Sequence, residues 1–269
     1  MGEAATGPPG SPGGRWLGLA RDVLDQISDS QADSIATASE WCAAAIGAGG
    51  FAHVFGSGHS RIPVEEMFPR YGSYPGFHPI VELSMTFHTQ IAGANGQRQA
   101  MFIERVEGLA DVILSNFHLK PTDVMIVFSV SGASAVPIEM AMGARAAGIR
   151  VIAVTSRAHS TASTSLHHSN TRLFDNADLV IDLCTPVGDA GVTIPGLDTP
   201  VGPLSTVAAV AIANEIKVQT AAHLQAADKM PSVLTASAVV GPERSRQLFD
   251  DAYADHAARL AEALSGRAR

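Results

Sequence analysis

Val124-Met-Ile-Val-Phe-Ser-Val-Ser-Gly-Ala-Ser134 decides the fold class. Five apolar residues follow the turn-forming Pro121-Thr-Asp123, and such a run reads as a strand buried on both faces. The run passes straight into a serine-glycine loop, and Val136 to Ala147 then carries a helical pattern that Gly148 ends. Strand, tight loop and helix in immediate succession are the repeating unit of a parallel α/β sheet.

The same unit occurs upstream. Phe51 to Phe55 is a short apolar run that ends in Gly56-Ser-Gly-His-Ser60, and a helix-compatible stretch covers Val64 to Phe68. Further strands are expected at Pro79 to Leu83, Val151 to Val154 and Leu179 to Leu183. Helices are expected around Trp16 to Ile27, Ile35 to Ile46, Met101 to Leu114 and Pro203 to Ala227, and from Glu243 onward. Strands alternating with helices, several of them apolar on both faces, require a parallel sheet covered on each side. Residues 1–14 are glycine, proline and small polar residues and read as a flexible tail, with one domain over 15–269.

Composition narrows the function classes. The chain has 269 residues, a net charge of −8 and a pI near 5.6, with no basic block, which argues against nucleic acid as its main partner. No apolar run reaches the roughly 18–20 residues that cross a bilayer, and no basic, then apolar leader opens the chain. The expectation is a cytoplasmic protein with no membrane partner. Cys42 and Cys184 are too few for a disulfide framework or a cysteine metal cage. No His-x-x-x-His or His-x-His pair and no carboxylate cluster at ligand spacing occurs, so neither metal nor cofactor is expected.

Both serine-glycine loops end strands, and ligands of open α/β sheets bind at that edge. Ser57 and Ser60 in the first loop, and Ser129, Ser131 and Ser134 in the second, offer hydroxyl donors. Gly132 lets the backbone approach a ligand or take a positive φ. Unpaired amides of the following helix and its dipole add a site for a tetrahedral anion without an arginine. Simple helix capping by the serines is the competing explanation. A dinucleotide site fits less well, because Arg61 stands where a third glycine belongs and there is no Walker A sequence.

These loops resemble those of the sugar isomerase (SIS) domain family of phosphosugar-binding proteins. Ser129-Val-Ser-Gly-Ala-Ser134 resembles its Ser-x-Ser-Gly-x-Ser/Thr phosphate loop, and Gly56-Ser-Gly-His-Ser60 its first glycine-serine loop. Gly56 to Gly72 and Val201 to Thr206 look like a subgroup of single-SIS-domain proteins, and the likeness covers nearly the whole chain after the tail. It implies a flavodoxin-like, three-layer αβα sandwich with a five-stranded parallel sheet. It also implies a homodimer or homotetramer, and Ser60, Ser129, Ser131 and Ser134 as phosphate ligands. Ala236 to Ser245 departs from the acidic, glycine-rich ending of that subgroup.

Aldose–ketose isomerisation through an enediol needs a base at carbon and a route for the hydroxyl proton. Glu65 and Glu66 follow the first loop, and adjacent helical residues point about 100° apart, so one at most faces the site. Glu66-Met-Phe-Pro-Arg70-Tyr71 is similar to the catalytic stretch of phosphoheptose isomerases, which favours Glu66 as base and Glu65 second. His59 lies in the first loop, suited to ring opening or to holding a sugar hydroxyl. His223 is one residue beyond the position that a rough alignment gives to a phosphoheptose isomerase histidine. His78 and His88 could enter a neighbouring site but read first as structural or exposed, and His167 and His168 read as solvated. Ser205 and Thr206 either line the sugar pocket or pack the long helix.

The reading that results is a cofactor-independent isomerase of a sugar phosphate, or of a sugar sulfonate, since the cradle accepts either anion. Two alternatives remain open: a non-catalytic sugar-phosphate-binding regulatory module, and an amino-sugar phosphate lyase or etherase.

Overall fold

In the computed structural model, described here for residues 14–85 and 96–265, helices α1 (Arg15–Ser30) and α2 (Ala32–Gly47) lead into strand β1 (Ala52–Gly56). A 3-10 turn, Gly58–Ser60, runs directly into α3 (Arg61–Met67), and β2 (Phe77–Ile80) follows. Then come α4 (Gly96–Ile103), α5 (Leu109–Leu114), β3 (Val124–Phe128), α6 (Ala135–Ala146), β4 (Arg150–Thr155), α7 (Arg157–Ala162) and β5 (Leu179–Asp182). A short antiparallel pair, β6 (Ala190–Val192) and β7 (Val201–Pro203), precedes α8 (Ser205–Ala226), α9 (Ser237–Val240) and α10 (Pro242–Ser265). The expected tail lies, apart from Gly14, outside the described residues, as does His88.

Strands β1 to β5 form one parallel sheet in the order β2-β1-β3-β4-β5, as expected of a three-layer αβα sandwich. Side chains of β3 alternate between two cores, as the twofold period of a strand requires. Val124, Ile126 and Phe128 join residues of α1, α2, α3 and α8, while Met125 and Val127 join residues of α5 and α6. This is why the strand is apolar throughout. The order reverses between β1 and β3, so the C-terminal ends of those two strands flank the switch point where open sheets bind ligands.

Two expectations change. The second strand begins at Phe77 rather than Pro79, because Phe77 and His78 pair with Ala52 and His53. The single helix expected over Met101 to Leu114 is two helices. Gly108 has φ +84°, and Gly108 and its neighbours form the break.

The opposite, N-terminal edge of the sheet is closed by a buried polar chain under α10. Asp123 accepts hydrogen bonds from Phe51 N at 2.9 Å and Lys120 N at 2.8 Å, and its Oδ2 lies 3.3 Å from His53 Nε2. His53 Nδ1 meets His78 Nδ1 at 2.9 Å. If His53 gives its Nε2 hydrogen to the carboxylate, its Nδ1 is left to accept from His78, and both rings are neutral. His256 of α10 packs against Phe51 and Phe68, and Arg259 donates to Ile46 O and Gly50 O. The expectation that His78 is structural or exposed resolves to structural.

Burial, with His53 and His256 nearby, pushes His78 down to about 3, although Asp123 opposes the shift. Burial likewise lowers His256. Asp123 is raised by its own burial, but the bonds from His53, Phe51 and Lys120 more than offset this and hold it below the usual carboxylate range. A histidine whose folded value lies below its unfolded value stabilises the fold fully above about 6.5 and progressively less below. Urea titrations should therefore show stability falling by about 1.4 kcal/mol per pH unit through His78 below pH 6.5, with a loss of the same sign through His256. Equal stability at pH 7 and pH 5 would contradict this assignment.

Candidate functional site

The two serine loops come together. A cleft of about 440 Å³ is lined by Ser57, Gly58, His59 and Ser60 from the first loop, and by Ser129, Val130, Ser131 and Ser134 from the second. Ala100, Met101, Glu104, His159 and Asp189 complete its wall, and no lysine or arginine is among these lining residues. Gly56 permits the first loop to fold back, since a Cβ there would collide with the carbonyl of Ser60.

At the centre stands a residue that the sequence did not single out. Glu104 ends the α4 segment at the break before α5, and its carboxylate bridges the loops. Ser57 Oγ donates to Glu104 Oε2 at 2.9 Å, and Ser134 Oγ donates to Oε1 at 3.0 Å. The backbone is fixed as well, because Val136 N donates to Glu104 O at 3.0 Å. Ser134 precedes α6 but makes no side-chain cap bond, so capping does not explain it.

The five serines divide into two groups. Ser57 and Ser134 direct their hydroxyl hydrogens at Glu104. Ser129 Oγ accepts from Gly132 N at 3.2 Å and Ser131 Oγ from Ala133 N at 3.4 Å, which leaves each hydroxyl hydrogen to donate outward. Ser60 Oγ has no hydrogen bond to another described residue, and Ser60 lines the cleft. Gly132 works from beneath. With φ +56°, a Cβ there would come within 3.1 Å of Leu173 Cβ and Thr155 Oγ1, and 3.2 Å of Ser160 Oγ.

Two imidazoles reach the rim. His59 lines the cleft and is exposed. His159, which the sequence reading passed over, accepts Gly188 N at Nδ1 at 3.0 Å, so its neutral ring carries the hydrogen on Nε2. Asp189 is committed to the start of α8, accepting from Leu204 N, Ser205 N and Ser205 Oγ. That contact accounts for Ser205; Thr206 lines a narrow pocket beside His59 and Ser60.

The other expected acids and bases lie elsewhere. Glu66 pairs with Arg70 at 2.7 Å and faces Lys217 of α8 at 4.0 Å, and Lys217 donates to Glu66 O. Glu65 pairs with Arg61 at 3.2 Å on the half-exposed side of α3. Neither lines the cleft. His223 is exposed near the far end of α8. At 1.5 Å rise per residue it stands roughly 27 Å along the helix from Ser205. His167 is buried rather than solvated. Among the described residues no helix is long and apolar enough to cross a membrane.

The signal for Glu104 was present but weak. It was Gly108 inside an otherwise helical window, which marks a break and so a chain end pointing somewhere other than along the helix.

Several known proteins are similar to this chain. The family model described as SIS domain matches residues 15–156. A UPF0309 protein of Streptomyces coelicolor is 35% identical over 230 residues, covering 86% of this chain and 90% of the relative. A UPF0309 protein of Listeria monocytogenes is 32% identical over 238 residues, covering 88% and 94%. Among solved structures, a phosphoheptose isomerase from Francisella tularensis aligns with TM-score 0.45 and 14% identity over 80% of this chain and 95% of that one. The Vibrio vulnificus NanR protein complexed with ManNAc-6P gives TM-score 0.45 and 14% identity over 94% and 69%.

The packing under the second loop makes a contrast that denaturant titration can read. Gly58, at φ +57° with open space where a methyl group would stand, should tolerate alanine at about 1 kcal/mol of backbone strain. Gly132→Ala adds crowding against Leu173 and Thr155 and should cost clearly more. Equal losses in the two variants would show that the second loop is not clamped from below.

Proposed function

This chain belongs to the SIS domain family, and we propose on that premise that it binds a sugar phosphate in the cleft and interconverts its aldose and ketose forms. One observation supports the reading most: a carboxylate, Glu104, is held between two loops whose remaining hydroxyls face the same space. In this reading Ser60, Ser129 and Ser131 and the Ala135 amide at the start of α6 hold the phosphate, the end of the helix dipole adding to their pull.

Glu104 takes the proton from the carbon beside the carbonyl, and the electrons of that C–H bond form the enediol. The same carboxyl returns the proton to the neighbouring carbon, so the sugar is isomerised with no net change in atoms. His59 or His159 at the rim moves the hydroxyl proton between the two oxygens. Two serine hydroxyls fix the carboxylate in one orientation, which removes the entropy of finding it. Proton transfer by a positioned side chain contributes about 10²–10⁴ in rate. Glu66, engaged with Arg70 and Lys217, is given a structural part in this scheme.

Exchange with solvent deuterium separates binding from chemistry. Wild-type protein, offered aldose and ketose phosphates of four to seven carbons together with glucosamine 6-phosphate, should bind one of them and wash deuterium into the carbon next to its carbonyl. Glu104→Gln should keep binding within a few-fold and lose at least about 100-fold of the exchange rate. Ser129→Ala with Ser131→Ala should instead weaken binding. Full exchange by Glu104→Gln removes Glu104 as base. Binding without exchange by the wild type would make the protein a sugar-phosphate-binding module.

A further inference from the structure

Behind the turn that carries Glu104 lies a second cluster of donor atoms. Glu107 is three residues on, and its carboxylate accepts His168 N at 2.7 Å and meets His168 Nδ1 at 2.8 Å. The neighbouring His167 ring lies 4.2 Å from that of His168, centroid to centroid. His167 is buried, with Nδ1 at 2.7 Å from Ser169 Oγ and Nε2 at 3.4 Å from Glu139 Oε1. Glu139 is held in turn, since Gly108 N donates to both of its oxygens at 2.9 Å. One donor atom each from Glu107, His167 and His168 falls within a sphere where all lie within 4.8 Å of one another.

We infer that Glu107, His167 and His168 form a binding site for a transition-metal dication, zinc by preference, with Glu139 or water in the fourth position. Zinc bonds of roughly 2.0–2.1 Å in a tetrahedron place ligand atoms about 3.4 Å apart. The His167–Glu139 separation already matches this. The Glu107–His168 pair must open by a few tenths of an ångström, and the side chains of His168 and Glu107, 73% and 41% exposed, have room to do so. Exposure on that side also gives the ion an entry path. His167 Nδ1 accepts Ser169 N at 3.3 Å and lies 2.7 Å from Ser169 Oγ, which fixes the ring; a metal at Nε2 requires the ring hydrogen to move to Nδ1 and be donated to Ser169 Oγ. Two imidazoles with carboxylates suit zinc, cobalt or nickel; magnesium and calcium prefer all-oxygen sites. The dication would also neutralise the Glu107 carboxylate beside the two imidazoles.

The cluster joins Glu107 and His168, which are 61 residues apart in sequence. It ties the Glu104–Gly108 turn to the 163–172 loop, so an ion there would brace the wall of the cleft without touching it. The site stands on its own observations, apart from the sugar-phosphate reading. Chelator-treated protein, titrated calorimetrically with zinc chloride alone, should bind one equivalent and gain thermal stability. Cobalt in place of zinc should give the strong visible absorption of a tetrahedral site. His168→Ala and Glu107→Gln, both at exposed positions, should each weaken zinc at least about tenfold with an unchanged circular dichroism spectrum. His223→Ala, at an exposed histidine far along α8, should bind zinc as the wild type does. No binding by the wild type, unchanged affinity in His168→Ala, or loss in His223→Ala would each overturn the proposal.

Discussion

A carboxylate held by two serine hydroxyls organises the ligand edge of this protein. Glu104 receives Ser57 from the loop after β1 and Ser134 from the loop after β3, so one side chain links the two strands that flank the switch point. Hydrogen bonds to an ionised group are stronger than neutral ones. Here they also fix which serine hydroxyls are given to Glu104 and which are not. The arrangement needs three independent parts: a parallel sheet that aligns the two loops, glycines that let them turn tightly, and a broken helix that delivers the acid. Take away any one and the remaining two describe an ordinary α/β edge.

The far edge of the same sheet answers with a chain of paired polar groups. Asp123, His53 and His78 run along the starts of β1 and β2, and α10 covers them with His256 and Arg259. Buried polar groups such as these three are tolerated because each finds a partner, and burial keeps His78 from taking a charge. Rigidity at this edge supports the register of β1 against β2 and β3, and the register places Gly56 beside Phe128, where the loops begin. Stability at one edge and ligand geometry at the other are thus joined through five short strands.

The sheet was legible because strand β3 buries both faces, and a run such as Val124 to Phe128 has few alternatives. The serine loops were legible because they follow such strands directly. Glu104 was not, since its importance comes from a turn at Gly108 within a sequence that otherwise scans as one helix, and from partners 47 and 30 residues away. Glu66 attracted attention through proximity in sequence to Ser60, but α3 points it along Lys217 rather than into the cleft. The His167–His168–Glu107 cluster was invisible for the same reason as Glu104. Spacing rules find ligands on one element, and these come from two loops.

The most direct test is a crystal structure of the protein with the sugar phosphate that it binds in the exchange assay. The phosphate group should lie within hydrogen-bond reach of Ser60, Ser129 and Ser131, with the sugar's first two carbons next to Glu104. A phosphate seated elsewhere, or a sugar lying away from Glu104 with the serine loops empty, would contradict that placement.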